Sequence, residues 1–220
     1  GGAFDITWRG MGRIWTFGED FRIPGVEEVA EAVKRVDFRK IVLEGNTVYL
    51  PETGMALGLG GIAKGYAIDR AGQTLTQAGI GDFLIDGGGD ILTSGSVQGR
   101  PWKVGIRDPR GERTALIRKL SLSGGAVVTS GDYERFRIVD GRRYHHIIDP
   151  RTGWPADKCR SVTVYSSTAE RADVLATAVF VMGPENGLAM LARIGDAEGF
   201  IIDSAGVVSM TRGFDALIEK

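Results

Sequence analysis

The sequence predicts an α+β fold with mixed, mostly antiparallel sheets and flanking helices. Strand-like segments come in one long run between residues 82 and 166, where short spacings and glycine turns favour antiparallel neighbours. Two helical segments, 168–182 and 185–194, follow this run together. Strands in runs and helices in groups are typical of α+β proteins and differ from a regular βαβ winding.

Before the run of strands, periodicity and turn residues predict a helix, a hairpin and a second helix, over 26–36, 40–43 with 47–50, and 61–78. Within the run, apolar segments bounded by turn residues predict strands over 82–86, 90–97, 102–107, 114–122, 126–129, 135–139, 143–149 and 161–166. After the grouped helices, 200–203 and 207–210 predict a last hairpin.

Composition sets limits on the class of protein. At 220 residues the chain can bury a full core, and we predict a single domain over 1–220. Its net charge is −1 with both signs interspersed, which argues against a nucleic-acid partner and a membrane-surface footprint. No apolar run approaches the ~20 residues that span a bilayer. The one cysteine, Cys159, excludes an internal disulfide and a cysteine-rich metal site, and we expect an ordinary thiol in a polar loop.

A glycine-rich stretch, Gly58-Leu59-Gly60-Gly61-Ile62-Ala63, leads into the helix predicted over 61–78. Free N–H groups and the dipole at a helix N-terminus favour phosphate, and Lys64 would add a positive charge there. The stretch fits equally well a helix start that packs closely on a strand. The local sequence does not decide between these two interpretations.

Two further polar turns lie at the ends of predicted strands. Asp86-Gly87-Gly88-Gly89-Asp90 has more glycines than a hairpin needs, which fits either close approach of a ligand or a wide turn with a bulge. Thr129-Ser130-Gly131-Asp132-Tyr133 offers hydroxyls and glycine to an oxyanion, and a plain turn is the alternative.

The two histidines of the chain, His145 and His146, are neighbours in a short apolar strand. Alternation along a strand points them to opposite faces. The strand delivers His146 to the tight turn Asp149-Pro150-Arg151-Thr152-Gly153, in which Asp149 is expected to cap the backbone. His146 is therefore a candidate functional residue.

A capping box, Ser167-Thr168-Ala169-Glu170, starts the helix that carries Asp173 and Thr177 one turn apart on one face. A carboxylate and a hydroxyl on a small, apolar face need partners if they are buried. A hard cation such as Mg²⁺ would satisfy both, with phosphate oxygens completing its shell. A hydrogen bond from Thr177 to Asp173 is the alternative, and both remain open on the sequence alone.

These segments, in this order, resemble the ApbE family of flavin transferases, the FAD:protein FMN transferases. The resemblance covers nearly the whole chain and implies an ApbE-like, T-fold-like architecture. Family members carry a further N-terminal segment, so the resemblance also implies a chain that is N-terminally incomplete. The resemblance is carried by Gly1-Gly2-Ala3-Phe4-Asp5-Ile6-Thr7, Leu59-Gly60-Gly61-Ile62-Ala63-Lys64-Gly65-Tyr66-Ala67-Ile68-Asp69, Gly87-Gly88-Gly89-Asp90-Ile91, Trp102-Lys103-Val104-Gly105-Ile106-Arg107-Asp108-Pro109, Thr129-Ser130-Gly131-Asp132-Tyr133, His146-Ile147-Ile148-Asp149-Pro150-Arg151-Thr152-Gly153, Ala172-Asp173 with Thr177-Ala178, and Gly213-Phe214.

The family resemblance implies a reaction and a set of site residues. Members transfer FMN from FAD, with Mg²⁺, to a threonine or serine hydroxyl of an acceptor protein and release AMP; typical acceptors are subunits of membrane redox complexes. The implied metal ligands are Asp173, Thr177 and the main-chain carbonyl of Gly61, and the implied base is His146. The implied FAD contacts are Ala3, Phe4, Asp5, Lys64 and the strand around Ile148.

Two differences from the family pattern, and two alternative functions, accompany this expectation. The family usually has Asp where this chain has Gly58, and a Gly-Pro-Leu stretch where it has Trp8-Arg9-Gly10-Met11-Gly12-Arg13. The same site would hydrolyse FAD to FMN and AMP if water replaced the acceptor hydroxyl. A flavin-binding protein without turnover is the other alternative. Relatives are mostly exported lipoproteins, so we expect the periplasm or the outer face of the cytoplasmic membrane.

Overall fold

The computed structural model describes residues 1–112 and 114–219. Two short 3-10 helices and the four-residue last helix are absent from the sequence predictions, whereas the four longer helices are confirmed with ends shifted by up to three residues. The α-helices are α1 (Val26–Val33), α2 (Ala63–Gln77), α3 (Ala169–Met182), α4 (Pro184–Ile194) and α5 (Arg212–Asp215), and the 3-10 helices are Ile6–Met11 and Phe38–Lys40. Among the described residues, no helix is long and apolar enough to cross a membrane.

The strands confirm the predicted antiparallel arrangement, since every strand pair among the described residues is antiparallel. The strands are β1 (Val42–Glu44), β2 (Thr47–Tyr49), β3 (Phe83–Asp86), β4 (Ile91–Ser94), β5 (Trp102–Arg107), β6 (Leu116–Leu122), β7 (Gly124–Gly131), β8 (Phe136–Val139), β9 (Arg142–His145), β10 (Cys159–Ser166), β11 (Ala197–Asp203) and β12 (Val208–Met210). Six of them form one sheet in the order β12-β11-β10-β7-β4-β3. The pairs β1-β2, β5-β6 and β8-β9 form two-stranded sheets.

The chain divides into two compact units. The first unit contains Gly1–Leu59 and Asp132–Asp157, and therefore holds α1 and the hairpins β1-β2 and β8-β9. The second unit contains Gly60–Gly131 and the chain from Lys158 onward, and holds the six-stranded sheet with α2 to α5. The single domain expected over 1–220 stays a prediction.

Alternation along β7 explains how the sheet of the second unit is covered. Ala126 packs with Ile68 of α2 and Ala169 of α3 on one face. The next residue, Val127, belongs to the opposite cluster, which is built from the β5-β6 hairpin and from Phe200. Because successive side chains of a strand point to opposite faces, the same short strand supports both apolar layers.

The crossing of α2 and α3 is fixed by one close approach and one side chain. A Cβ on Gly65 would lie 2.4 Å from the carbonyl oxygen of Ala169, so the two helices meet at a distance that only glycine permits. Asp69, one turn later on α2, accepts the N–H groups of Ala169 and Glu170 at 2.8 and 2.9 Å. These N–H groups have no partner within α3, so Asp69 caps α3 from a neighbouring helix.

Two local predictions need correction. The strand predicted over 143–149 ends at His145, because its partner strand β8 begins at Phe136, the residue that pairs with His145. Cys159 was expected in a polar loop, but it is the first residue of β10 and is buried. Burial raises the pKa of its thiol to about 12, so the neutral, unreactive form prevails at neutral pH.

The close approach at Gly65 predicts a large effect of one methyl group. Gly65→Ala should lower the free energy of unfolding by about 1–3 kcal/mol, because overpacking against α3 outweighs the gain in helix propensity. Urea denaturation followed by far-UV circular dichroism measures this change. Gly60→Ala is the matched control, since no heavy atom lies within 4 Å of its added Cβ. A Gly65→Ala protein as stable as the unaltered chain would contradict the close crossing.

Candidate functional site

In the second unit, the start of α2 meets the first turns of α3. Asp173 is buried on α3, and its Oδ2 accepts the backbone N–H of Gly65 at 3.1 Å. Ile62, the N-cap of α2, makes no side-chain capping bond. The Asp173 carboxylate therefore supplies an anion to the N-terminus of α2, where N–H groups and the helix dipole favour negative charge. Gly61 lies in the turn two residues before the first residue of α2.

Thr177, one turn after Asp173, has a different partner. Its hydroxyl lies 3.1 Å from the hydroxyl of Ser130, near the end of β7. The alternative hydrogen bond from Thr177 to Asp173 is thus not the arrangement found, since each side chain bonds elsewhere. Hydroxyl groups can both donate and accept, so Thr177 keeps a lone pair for a further ligand.

The negative charge at this place exceeds the positive charge. Asp90 is 1% exposed, and its Oδ2 lies 2.8 Å from Nζ of Lys64. Burial raises the pKa of Asp90 to about 6 against the opposing effect of Lys64, and the charges of Asp173 and Asp86 add to the increase. Burial also raises the pKa of Asp173, while the Gly65 N–H and the Lys64 ammonium act in the opposite direction. One lysine thus faces two buried carboxyl groups.

These residues fit Mg²⁺ by the chemistry of their donors. A buried carboxylate whose pKa is raised by burial gains from a nearby cation, and Mg²⁺ prefers one or two carboxylates with the remaining positions filled by water or phosphate. No group of three or more His, Cys, Asp or Glu side chains suited to a metal occurs in the described part of the chain. A site built from Asp173, Thr177 and a backbone carbonyl does not need such a group.

In the first unit, the residues expected to contact FAD include the segment Ala3-Phe4-Asp5, which internal hydrogen bonds hold in place. Ala3 and Asp5 are buried, and Asp5 caps the 3-10 helix that follows by accepting the N–H of Thr7 at 2.8 Å. The second carboxylate oxygen of Asp5 accepts the N–H of Phe38 at 3.0 Å. Both oxygens of Asp5 are therefore engaged within the protein. Any contact of this segment with a ligand falls to its backbone or to the half-buried Phe4.

The neighbouring histidines are in opposite environments, as the strand alternation predicts. His145 is buried, and its Nδ1 accepts the N–H of Ile147 at 3.3 Å, so the ring proton belongs on Nε2, which donates to the carbonyl of Ala156 at 2.7 Å. Burial lowers the pKa of His145 to about 4. His146 is exposed, and its N–H donates to the carbonyl of Arg135 at 3.1 Å. His145 is structural, which leaves His146 as the exposed imidazole.

The two differences from the family pattern are coupled in this unit. The indole N–H of Trp8 donates to the carbonyl of Gly58 at 3.0 Å, and the N–H of Gly58 donates to Ile6 at 2.7 Å. A Cβ at position 58 would lie 2.6 Å from Nε1 of Trp8. The indole thus occupies the space that a side chain at position 58 would need. Trp8 and Gly58 are therefore sterically complementary in this chain.

Comparison with known proteins identifies the family. A model described as "ApbE family" matches residues 1–201. The chain belongs to the ApbE family. It is 39% identical over 98% of its length to a FAD:protein FMN transferase of Treponema pallidum (strain Nichols) and 35% identical over 91% to one of Klebsiella pneumoniae (strain 342). It spans 67% and 63% of those two proteins, so the activity in their names comes to this chain as a proposal.

Solved structures confirm the ApbE-like fold. The ApbE protein of Thermotoga maritima MSB8 superposes with a TM-score of 0.91 at 37% identity, over 100% of this chain and 73% of that one. The apo form of the flavinyl transferase ApbE of Pseudomonas stutzeri superposes with a TM-score of 0.82 at 33% identity, over 98% of this chain and 69% of that one. The predicted architecture of this ApbE family member is therefore correct.

Sequence reasoning missed three residues that shape the site. Asp90 and Ser130 were noted only within turn motifs and the family resemblance, and Asp69 only within the resemblance, so none of the three was assigned a role. Each acts on a residue far along the chain, 26 positions away for Asp90 and Lys64. Local spacing carries no signal for such pairs.

His145 predicts a pH dependence of stability. The ring has an ordinary pKa of 6.5 when unfolded and about 4 when folded, so its contribution is complete above pH 6.5 and is lost as the pH falls toward 4. We expect the free energy of unfolding to fall by about 2–3 kcal/mol between pH 7 and pH 4.5 through this group. Urea denaturation at the two pH values measures it.

The second histidine provides the control. His146→Gln should keep the pH dependence, whereas His145→Gln should be less stable at pH 7 and lose much of the dependence. Equal slopes in the two variants would contradict the assignment of His145 as the buried, neutral ring.

Proposed function

We propose that this protein is a FAD:protein FMN transferase, which attaches FMN from FAD to a threonine or serine hydroxyl of an acceptor protein and releases AMP. One observation carries the proposal. In a member of the ApbE family, buried Asp173 faces the N-terminus of α2 beside Lys64. Helix N–H groups and a lysine suit a diphosphate, and a buried carboxylate suits the cation that accompanies it.

Asp173, Thr177 and the main-chain carbonyl of Gly61 would hold Mg²⁺. When bound, Mg²⁺ supplies positive charge that neutralises the diphosphate of FAD as negative charge develops on the departing AMP. The free N–H groups at the start of α2 and the ammonium of Lys64 would bind the phosphate oxygens. Phosphoryl transfer depends mainly on such positioning and charge neutralisation, so little further chemistry is required of the protein.

His146 would be the general base. Its imidazole removes the proton of the acceptor hydroxyl, the oxygen bonds to the phosphorus of the FMN half, and the bond from that phosphorus to the AMP oxygen breaks. Imidazole is a common general base, and the exposure of His146 leaves it accessible to an acceptor protein. His145 cannot share the role, because both of its ring nitrogens are engaged internally.

FAD contacts are proposed for Ala3, Phe4, Asp5, Lys64 and Ile148. The engaged carboxylate of Asp5 assigns that residue a scaffolding part, with the backbone of the segment facing the ligand. As acceptor we propose a subunit of a membrane redox complex, and as location the periplasm or the outer face of the cytoplasmic membrane. The family resemblance supports both proposals.

Hydrolysis of FAD to FMN and AMP is the second candidate function. The exposure of His146 favours it, because the same base would activate water where no acceptor hydroxyl is present. Chromatography of AMP and FMN, with mass spectrometry of a threonine-containing acceptor, separates the candidates. Mg²⁺-dependent AMP with a flavinylated acceptor supports the transferase, and AMP with free FMN alone supports the hydrolase. FAD binding without AMP would leave a flavin-binding protein.

The proposed metal site predicts the behaviour of one variant. Asp173→Asn should abolish Mg²⁺-dependent AMP release, because the amide keeps the hydrogen bond from Gly65 but loses the charge that binds the cation. AMP release measured across a Mg²⁺ titration tests this. Glu170→Gln removes a carboxylate from the first turn of the same helix and should keep the Mg²⁺ response. Activity of Asp173→Asn at the level of the unaltered chain would remove Asp173 from the metal site.

The proposed base predicts a second outcome. His146→Ala should slow FMN transfer by roughly 10²- to 10⁴-fold while FAD binding is largely kept, since only the proton transfer is lost. Incorporation of FMN into the acceptor, with and without added imidazole, is the measurement. Partial recovery with imidazole supports general base catalysis, and unchanged transfer in the variant would exclude His146 from the mechanism.

A further inference from the structure

The turn Asp86-Gly87-Gly88-Gly89-Asp90 ends in a carboxylate with an uncommon placement. Asp90 is 1% exposed, immediately before β4. Its Oδ2 lies 2.8 Å from Nζ of Lys64, whose side chain is 45% exposed in the first turn of α2. A buried anion therefore holds a half-exposed cation at the start of α2.

The turn is built to keep Asp90 in place. The N–H of Gly89 donates to Oδ1 of Asp86 at 2.7 Å, and the N–H of Gly87 donates to the carbonyl of Asp90 at 2.9 Å. Gly87 packs so closely on α2 that a Cβ there would lie 2.5 Å from Cδ1 of Ile68. Ile68 lies four residues after Lys64 on the same face of α2. The glycine turn that packs on Ile68 is therefore fixed directly beneath the lysine.

Stability alone does not account for this carboxylate. A buried charge is unfavourable unless it is paired, and replacing such a pair by apolar groups is often neutral or stabilising. Two other charged groups act on Asp90. They are Asp173 from α3 and Asp86 from β3, and both repel its negative charge. Lys64 attracts Asp90 and opposes both effects, but burial outweighs it. The arrangement suits a function of the lysine better than a gain in stability.

We infer that Asp90 is a positioning residue that holds the Lys64 ammonium over the N-terminus of α2, where the FAD diphosphate binds. The inference rests on the proposed function. A lysine side chain has a flexible stem of four carbons, and its ammonium would sample many positions without an anchor. Asp90 restricts that freedom before FAD binds, so the lysine side chain loses less conformational entropy on binding.

A double-mutant cycle tests the inference, because a residue that acts through another loses its effect when the other is removed. The variants are Asp90→Asn, Lys64→Met and the two together, and the measurement is the FAD dissociation constant from flavin fluorescence. We expect Asp90→Asn to weaken FAD binding about tenfold beside Lys64, and less than about twofold beside Met at position 64. Asp82→Asn, an exposed aspartate before β3, is the matched control.

Kinetics provide a second readout. If Asp90 positions a binding lysine, Asp90→Asn should raise the KM for FAD in AMP release more than it lowers kcat. Equal weakening of FAD binding in both position-64 backgrounds would assign Asp90 a merely structural part and overturn the inference. An unchanged FAD affinity in Asp90→Asn would overturn it too. Absence of FAD binding by the unaltered chain would instead overturn the proposed function, and the inference with it.

A third measurement does not depend on folding of the Asp90 variant. In the unaltered chain with ¹⁵N-labelled lysine, a held ammonium exchanges its protons slowly and gives a signal that freely solvated ammonium groups lose. The signal is assigned to Lys64 by its disappearance in Lys64→Met. Detection supports the anchoring by Asp90, and its absence under conditions that preserve the fold would overturn it.

Discussion

The contact between α2 and α3 is the constraint on which the rest of the second unit depends. Gly65 lets the helices approach until their backbones touch, and Asp69 then caps α3 from α2. That distance brings the carboxylate of Asp173 within hydrogen-bonding reach of the Gly65 N–H. A larger residue at position 65 would separate the helices and leave both the α2 N-terminus and Asp173 without their partners. The packing of the core and the placement of the candidate ligands therefore have one common cause.

The charged residues at the α2–α3 crossing suit the binding of a ligand better than they suit the stability of the fold. Two buried carboxyl groups, Asp90 and Asp173, face a single lysine, and burial raises the pKa of each. Replacing such buried charged groups by apolar side chains is often neutral or stabilising, so stability alone does not explain them. A cation together with an anionic ligand would complement the excess negative charge and the helix N–H groups at this place. A metal-accompanied diphosphate has that composition, which is why the electrostatics and the family membership support the same function.

Much of this fold follows from local patterns, and much of the site does not. Periodicity and caps predicted the long helices, but the capping box placed the start of α3 one residue early, because the N-cap is Thr168, which accepts the N–H of Arg171. Alternation predicted that His145 and His146 face opposite ways, as their burial shows. The anchoring of Lys64 by Asp90 was beyond such reasoning, because the two residues meet only through the packing of a glycine turn on α2. The end of β9 was misjudged because the apolar run continues to Ile148, whereas pairing with β8 stops at His145.

The pairing of Trp8 with Gly58 shows how a difference from a family pattern is best interpreted. Taken alone, a glycine at position 58 offers a ligand no side chain. The structure shows that the indole of Trp8 fills the space beside Gly58 and bonds to its carbonyl, so an aromatic group stands at this position. The ring is 36% exposed while its N–H is engaged, which leaves mainly apolar surface for contact. A changed pair of this kind alters the chemistry offered at the position and does not by itself imply loss of function.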